Sequence, residues 1–195
     1  MLELTNLLAG GGSPPQFQDF TTSGTFTPSP RLLEKGGTVM VVLFGGGSGG
    51  GSGAGHGAVP KVVFTKVTGP VSVVIGAGGL ANTTSGAGNS GGTSSFGAIT
   101  APGAPGNATT GTGGTGAAAA AAVGRGGIGL ILPGIGAACG GGTHNVDSGA
   151  VAEAYGGGYN SAHAPANLGG GGGSSGIVSD NKNGGSGRCF VIWWE

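Results

Sequence analysis

Few side chains in this chain are of a type that does chemistry. The three histidines, His56, His144 and His163, lie in glycine- or alanine-rich stretches, with Asp147 near His144 and Glu153, Tyr155 and Tyr159 ahead of His163. Imidazole and carboxylate are common zinc ligands, so His144, Asp147 and His163 on a common face would offer a metal three of them. Their separations match no diagnostic ligand spacing. The expectation is therefore loop residues that supply hydrogen bonds, with no metal and no cofactor. Nucleophilic chemistry is no better provided for. The sequence sets neither a G-x-S-x-G elbow nor a GxGxxG between a strand and a helix, and it has no Gly-Lys-Ser/Thr. Charged residues make up only 7% of the chain. We expect no enzyme and no catalytic residues.

Recognition is the chemistry these residues suit better. Tyr155, Tyr159, Asn160 and His163 fall in the run AEAYGGGYNSAH. Tyrosine gives broad contact at low entropy cost, while glycine and asparagine let a loop adapt, as in antibody paratopes. A second patch gathers Ile128, Leu130, Ile131, Leu132 and Ile135 without strand-like alternation. It reads as an exposed tip or an interface. The plainer reading is that both stretches fill gaps in a thin core. Phe44, Phe64, Phe190, Val191 and Trp193 are expected to be core residues. Cys139 and Cys189 are the only cysteines; one disulfide and two free thiols are both compatible with the sequence.

The elements that must position these residues are short and separated by glycine. The chain of 195 residues holds 52 Gly and 10 Pro, together about a third, a level usual for low-complexity chains. Disordered chains, however, carry charge and few branched apolar residues. Here Val, Ile, Leu, Phe and Trp are concentrated in blocks. Residues 38–44, TVMVVLF, read as a central strand. Residues 61–68 and 71–75 flank Gly69-Pro70 and read as a hairpin. Phe20 and Phe26 flank the Ser23-Gly24 turn signal, 93–99 reads as a weaker strand, and RCFVIWW closes the chain. A C-terminal strand this apolar needs partners. The expected fold is therefore all-β: a small β-sandwich closed by pairing the early strands with the last one.

Between them lies a glycine-rich insertion, about 100–187, too long for an ordinary structureless loop. Extended threefold chains make no internal hydrogen bonds. Chains lacking side chains at their contacts can approach and bond laterally instead. The runs at 45–50, 140–142, 156–158 and 170–173 are candidates for such polyglycine-II-like packing. Ahead of all this, MLELTNLL precedes AGGGSPP, a flexible stretch ending in a stiff proline pair. Leu2, Leu4, Leu7 and Leu8 would be costly exposed surface. Residues 1–16 thus read as an attachment peptide and linker, and 17–195 as the domain.

The blocks FTTSGTFT, VMVVLFGGGSGGGSG, VSVVIGAGG and GNSGGTSSFG, followed by a closing strand that ends in aromatics, resemble in order and spacing the glycine-rich domain of phage tail-fibre and tail-tip proteins. The resemblance runs over roughly residues 17–195. It places Thr25-Phe26-Thr27 and Pro28 to Pro30 at the family's opening turn, and Trp193 and Trp194 at its close. Two features depart from the family: only about sixteen residues stand where a fibre shaft is common, and the stretches 117–122 and 127–139 are atypical. The resemblance implies a virion protein of the tail tip or baseplate. Its expected role is a host-receptor-binding adhesin recognising a surface protein or glycan through loops on a glycine scaffold. The alternative is a structural cap or decoration protein without receptor binding. In either case its partners would be tail or baseplate proteins, with a homotrimer and a single copy on a trimeric partner both admitted.

Charge and hydropathy narrow the partners further. Seven Lys and Arg balance seven Asp and Glu, so strong electrostatic capture of nucleic acid is not expected. No apolar run reaches the length of a membrane span, and residues 1–8 lack the features of a secretory signal.

Overall fold

The computed structural model describes residues 14–52, 55–84, 86–106, 130–132, 135–137 and 181–195. The strands are β1 (Gln16–Phe20), β2 (Gly24–Phe26), β3 (Thr38–Phe44), β4 (Lys61–Lys66), β5 (Val71–Val74), β6 (Ser94–Phe96), β7 (Ile99–Ala101), β8 (Leu130–Leu132), β9 (Ile135–Ala137) and β10 (Arg188–Trp193). Among the described residues a single short helix, α1 (Pro30–Glu34), joins β2 to β3. Two four-stranded antiparallel sheets have the orders β1-β10-β3-β4 and β2-β5-β6-β7, and β8 pairs with β9 alone. The fold is all-β, with the C-terminal strand inserted between β1 and β3.

Alternation sets the core. Val39, Val41 and Leu43 on β3 and Cys189 and Val191 on β10 turn inward, where they meet Phe26, Val73, Phe96 and Ala101 of the other sheet. Phe26 is fully buried and packs edge-on against Trp193 at 5.4 Å. Phe44, Phe190 and Val191 are buried as expected from sequence. Cys189 is a free, buried thiol, pushed up to about 12 by burial and then by the negative charge of Asp19.

Three sequence expectations need correction. Residues 61–68 and 71–75 do not pair: β4 bonds β3 in one sheet, while β5 lies between β2 and β6 in the other. Buried Val67 marks the crossing, its N–H donating to Gly37 O at 2.9 Å. Phe64 is not core but 66% exposed, because alternation puts it on the sheet's outer face when Val63 packs inward. Residues 93–99 make two strands, not one, turning at Gly97 with φ +55°. Helix α1 was not foreseen, although its start is written in the sequence. Pro30 occupies the first turn and the Ser29 side chain accepts from the Leu32 N–H at 3.0 Å.

Beyond one end of the sandwich the chain continues as six glycine-rich segments. Residues 45–52, 76–82 and 102–106 lead away from β3, β5 and β7, and 55–60, 86–92 and 181–187 lead back into β4, β6 and β10. Their hydrogen bonds repeat every three residues, not every two as in a strand. Gly46, Gly49 and Ser52 donate to Gly92, Asn89 and Gly86 of one neighbour at 2.8, 3.0 and 2.7 Å. Gly47 and Gly50 donate to Gly185 and Lys182 of a second, both at 2.9 Å, and Ser48 donates to His56 of a third at 3.0 Å. Gly79 and Asn82 return bonds to Gly47 O and Gly50 O, and Ala104 bonds Gly46 O. Segment 45–52 is thus ringed by the other five, and residues 45–51 are all buried. At these glycines the spacing leaves no room for a side chain: a Cβ on Gly46 would overlap the Ala77 carbonyl, and one on Gly49 the Leu80 carbonyl.

Candidate functional site

Strand directions give the molecule two unlike ends. β1, β3, β5 and β7 run toward the glycine bundle, and their antiparallel partners run away from it. Gln16 at the start of β1 and Trp193 at the end of β10 are register partners and lie at the far, basal end. Helix α1 closes that end. There Glu195 accepts from Ser29 Oγ at 2.6 Å and Trp193 Nε1 at 2.7 Å, contacts that hold its carboxyl below the usual range.

At the opposite end the outgoing segments stop at Ser52, Asn82 and Gly106, and the returning ones begin at Gly55, Gly86 and Asn181. Asparagines tie this end together. The Asn82 side chain donates to Ala87 O at 3.0 Å and accepts from the Thr84 N–H and hydroxyl at 2.9 and 2.7 Å. Asn181 donates to Asn82 O at 2.7 Å, and Asn183 accepts from the Ala81 N–H at 2.8 Å. Short amides suit this role because they bond backbone groups of an adjacent chain without filling the narrow space between chains. Asn181 is only 4% exposed, so the start of the last returning segment is firmly seated.

Among the described residues of this end, Lys182 is the one full charge. Ser48 and His56 adjoin, but the His56 backbone N–H donates to Ser48 Oγ at 2.7 Å. That is a structural bond, not the ring-to-hydroxyl contact of a nucleophile and base. Burial holds the His56 imidazole below its ordinary pKa. Among the described residues no group of His, Cys, Asp and Glu is placed to hold a metal. None of the described helices is long and apolar enough to cross a membrane.

Tyr155, Tyr159, Asn160, His163 and Ile128 lie outside the described residues, as do His144, Asp147, Leu2, Leu4, Leu7 and Leu8. Leu130 and Ile131 lie on β8, in register with Ala137 and Gly136 of β9. In sequence, the expected binding tyrosines fall between Gly106 and Asn181, and the expected attachment peptide precedes β1. Sequence reasoning missed the asparagine ties, although Asn82, Asn89, Asn181 and Asn183 flanking glycine runs were a visible signal. No protein-family model matches the chain, and a search of curated proteins returns no match.

Proposed function

We propose that this chain is a non-catalytic receptor-binding adhesin of a phage tail tip or tail fibre. The observation that carries this reading is the molecule's polarity. The outgoing bundle segments end at Ser52, Asn82 and Gly106 at one end of the molecule, and Tyr155, Tyr159, Asn160 and His163 fall in sequence between Gly106 and Asn181. The chain enters β1 at the other end. One end engages a host surface protein or glycan, and the other joins the tail or baseplate. The resemblance of the glycine blocks to tail-tip domains supports the same assignment, and with it a place in the virion tail.

The structural-cap reading has one observation in its favour. On the outer face of the first sheet, Phe17, Ile192, Met40 and Phe64 stand side by side across all four strands. Phe17 and Phe64 are 67% and 66% exposed, an apolar strip of the kind buried in assemblies. Binding of purified protein to intact host cells, with and without Tyr155→Ala and Tyr159→Ala, separates the two. The adhesin binds saturably and loses binding on substitution. A protein that co-assembles with tail proteins but never binds cells is the cap.

A further inference from the structure

We propose that residues 1–8 fold back over the exposed apolar face of the first sheet in the free chain. Alternation sets Phe17, Ile192, Met40 and Phe64 in one row across the outer side of that sheet. Phe17 and Phe64, on the two edge strands, are largely exposed, and Trp194, which follows β10 at the basal end, is 47% exposed. One row nearer the bundle, Phe190 and Val42 of the same face are buried. The exposed rings thus lie in the basal half of the face, beside the point where the chain enters β1.

The dimensions of the patch select its occupant. The row spans three strand spacings, about 14 Å, and the exposed part extends about as far along the strands. An area of roughly 200 Å² falls well below the roughly 800 Å² that a stable interface takes from each partner. A short peptide fits it, and a second copy of the chain does not. Such a peptide adjoins the patch in sequence. Residues 1–8, MLELTNLL, hold four leucines and one charged side chain, Glu3. Residues 9–13, AGGGS, link them to Pro14, two residues ahead of β1. A linker of that length spans up to about 17 Å, enough to reach every strand of the sheet from β1. It also holds the peptide over the face at an effective concentration in roughly the millimolar range. The stretch 107–180 is far longer and joins the described chain at the far end of the bundle, so it has no such advantage. Charge agrees with this choice. Asp19 and Arg188 on the same face pair with each other, Arg188 Nε donating to Asp19 Oδ1 at 2.9 Å. Lys66, two residues beyond Phe64 on that face, is exposed and has no ion pair among the described residues. Glu3 supplies the opposite charge. The strip that favours the structural-cap reading then has a cover within the chain. The fold-back does not rest on the proposed function; under that function, a tail protein competes for the same leucines.

Methyl-labelled methionine reports on the contact, because the chain has only Met1 and Met40. In the full chain the Met40 methyl is expected to show cross-relaxation with leucine methyls of residues 1–8, unchanged on dilution. A Leu4→Ser, Leu7→Ser, Leu8→Ser chain should lose that cross-relaxation and shift the Met40 signal, while the Val41 and Val191 methyls of the core stay in place. Phe64→Ser, at an exposed position, should weaken the same contact from the other side. The leucine substitutions lie outside the sandwich strands, so they decide the question even where Phe64→Ser disturbs the sheet. A Met40 signal indifferent to the leucine substitutions overturns the proposal. A contact that fades on dilution also overturns it, because the occupant is then a second copy.

Discussion

Leu43 and Gly46 are three residues apart and held in opposite ways. Leu43 is fully buried in the sandwich because its side chain fills the space between two sheets. Gly46 is buried in the bundle because it has no side chain: its N–H reaches Gly92 O at 2.8 Å and its carbonyl takes the Ala104 N–H at 2.8 Å. In the sandwich, stability follows apolar area removed from water. In the bundle little such area exists, and the dominant contribution is pairing every backbone group that would otherwise be stranded. Residues that stabilise one region are therefore expected to disrupt the other.

The strongest way to break this comparison is a branched residue in the bundle. Gly49→Val would place its side chain against the Leu80 carbonyl, where backbone on every side prevents relaxation. We expect a loss of about 4 kcal/mol or more, the range reserved for severe core defects, measured by chemical denaturation. Leu43→Ala should cost somewhat less, about 3 kcal/mol, through lost burial and the cavity left behind. If Gly49→Val proves milder than Leu43→Ala, the bundle is looser than its hydrogen bonds imply.

These two sites also mark what could be read in the sequence. The apolar run of β3 announced a central strand, that of β10 a strand in need of partners, and GGGSGGGSG after Phe44 was a candidate for close chain packing. The partners of each strand were harder to read. Gly69-Pro70 suits both a hairpin and a crossing between sheets, and only the burial of Val67 between the layers decides for the crossing. Phe64 was misjudged because aromatic character does not say which face of an edge strand a residue occupies. Within the bundle a threefold signal was present but brief. In APGAPG, residues 101–106, Ala101 and Ala104 are buried while Pro102 and Pro105 are exposed. Proline fits there because its fixed φ suits an extended threefold chain. The candidate binding residues were chosen by type alone, and apart from Leu130 and Ile131 on β8 they lie outside the described residues.

A change of pH sharpens the comparison on the sandwich side. The Cys189 thiol titrates near 12 in the fold, above its ordinary 9.0. An acid whose pKa is raised by folding contributes fully below the unfolded value and loses that contribution as pH rises through the folded one. Stability should hold to about pH 9 and decline toward 12, and Cys189→Ala should flatten that decline. At neutral pH the thiol should not react with aromatic disulfide reagents unless the protein unfolds.

The smallest effect expected is at the bundle's surface. Leu80 is 60% exposed although its neighbour Gly79 is buried, so Leu80→Ser should change stability by no more than about 0.5 kcal/mol. A larger loss would mean that side-chain burial matters in the bundle too, and would erase the contrast with Leu43.

Amide hydrogen exchange compares the two regions most directly. Gly46, Gly47, Gly49 and Gly50 donate only to neighbouring segments, whereas Val41 and Val191 belong to the strand ladder. If backbone pairing holds the bundle as firmly as side-chain packing holds the sandwich, these glycine amides are protected to the same degree as the two valines, and both sets exchange through one global opening. Glycine amides that exchange at the rate of exposed loops while the valines stay protected would contradict the account.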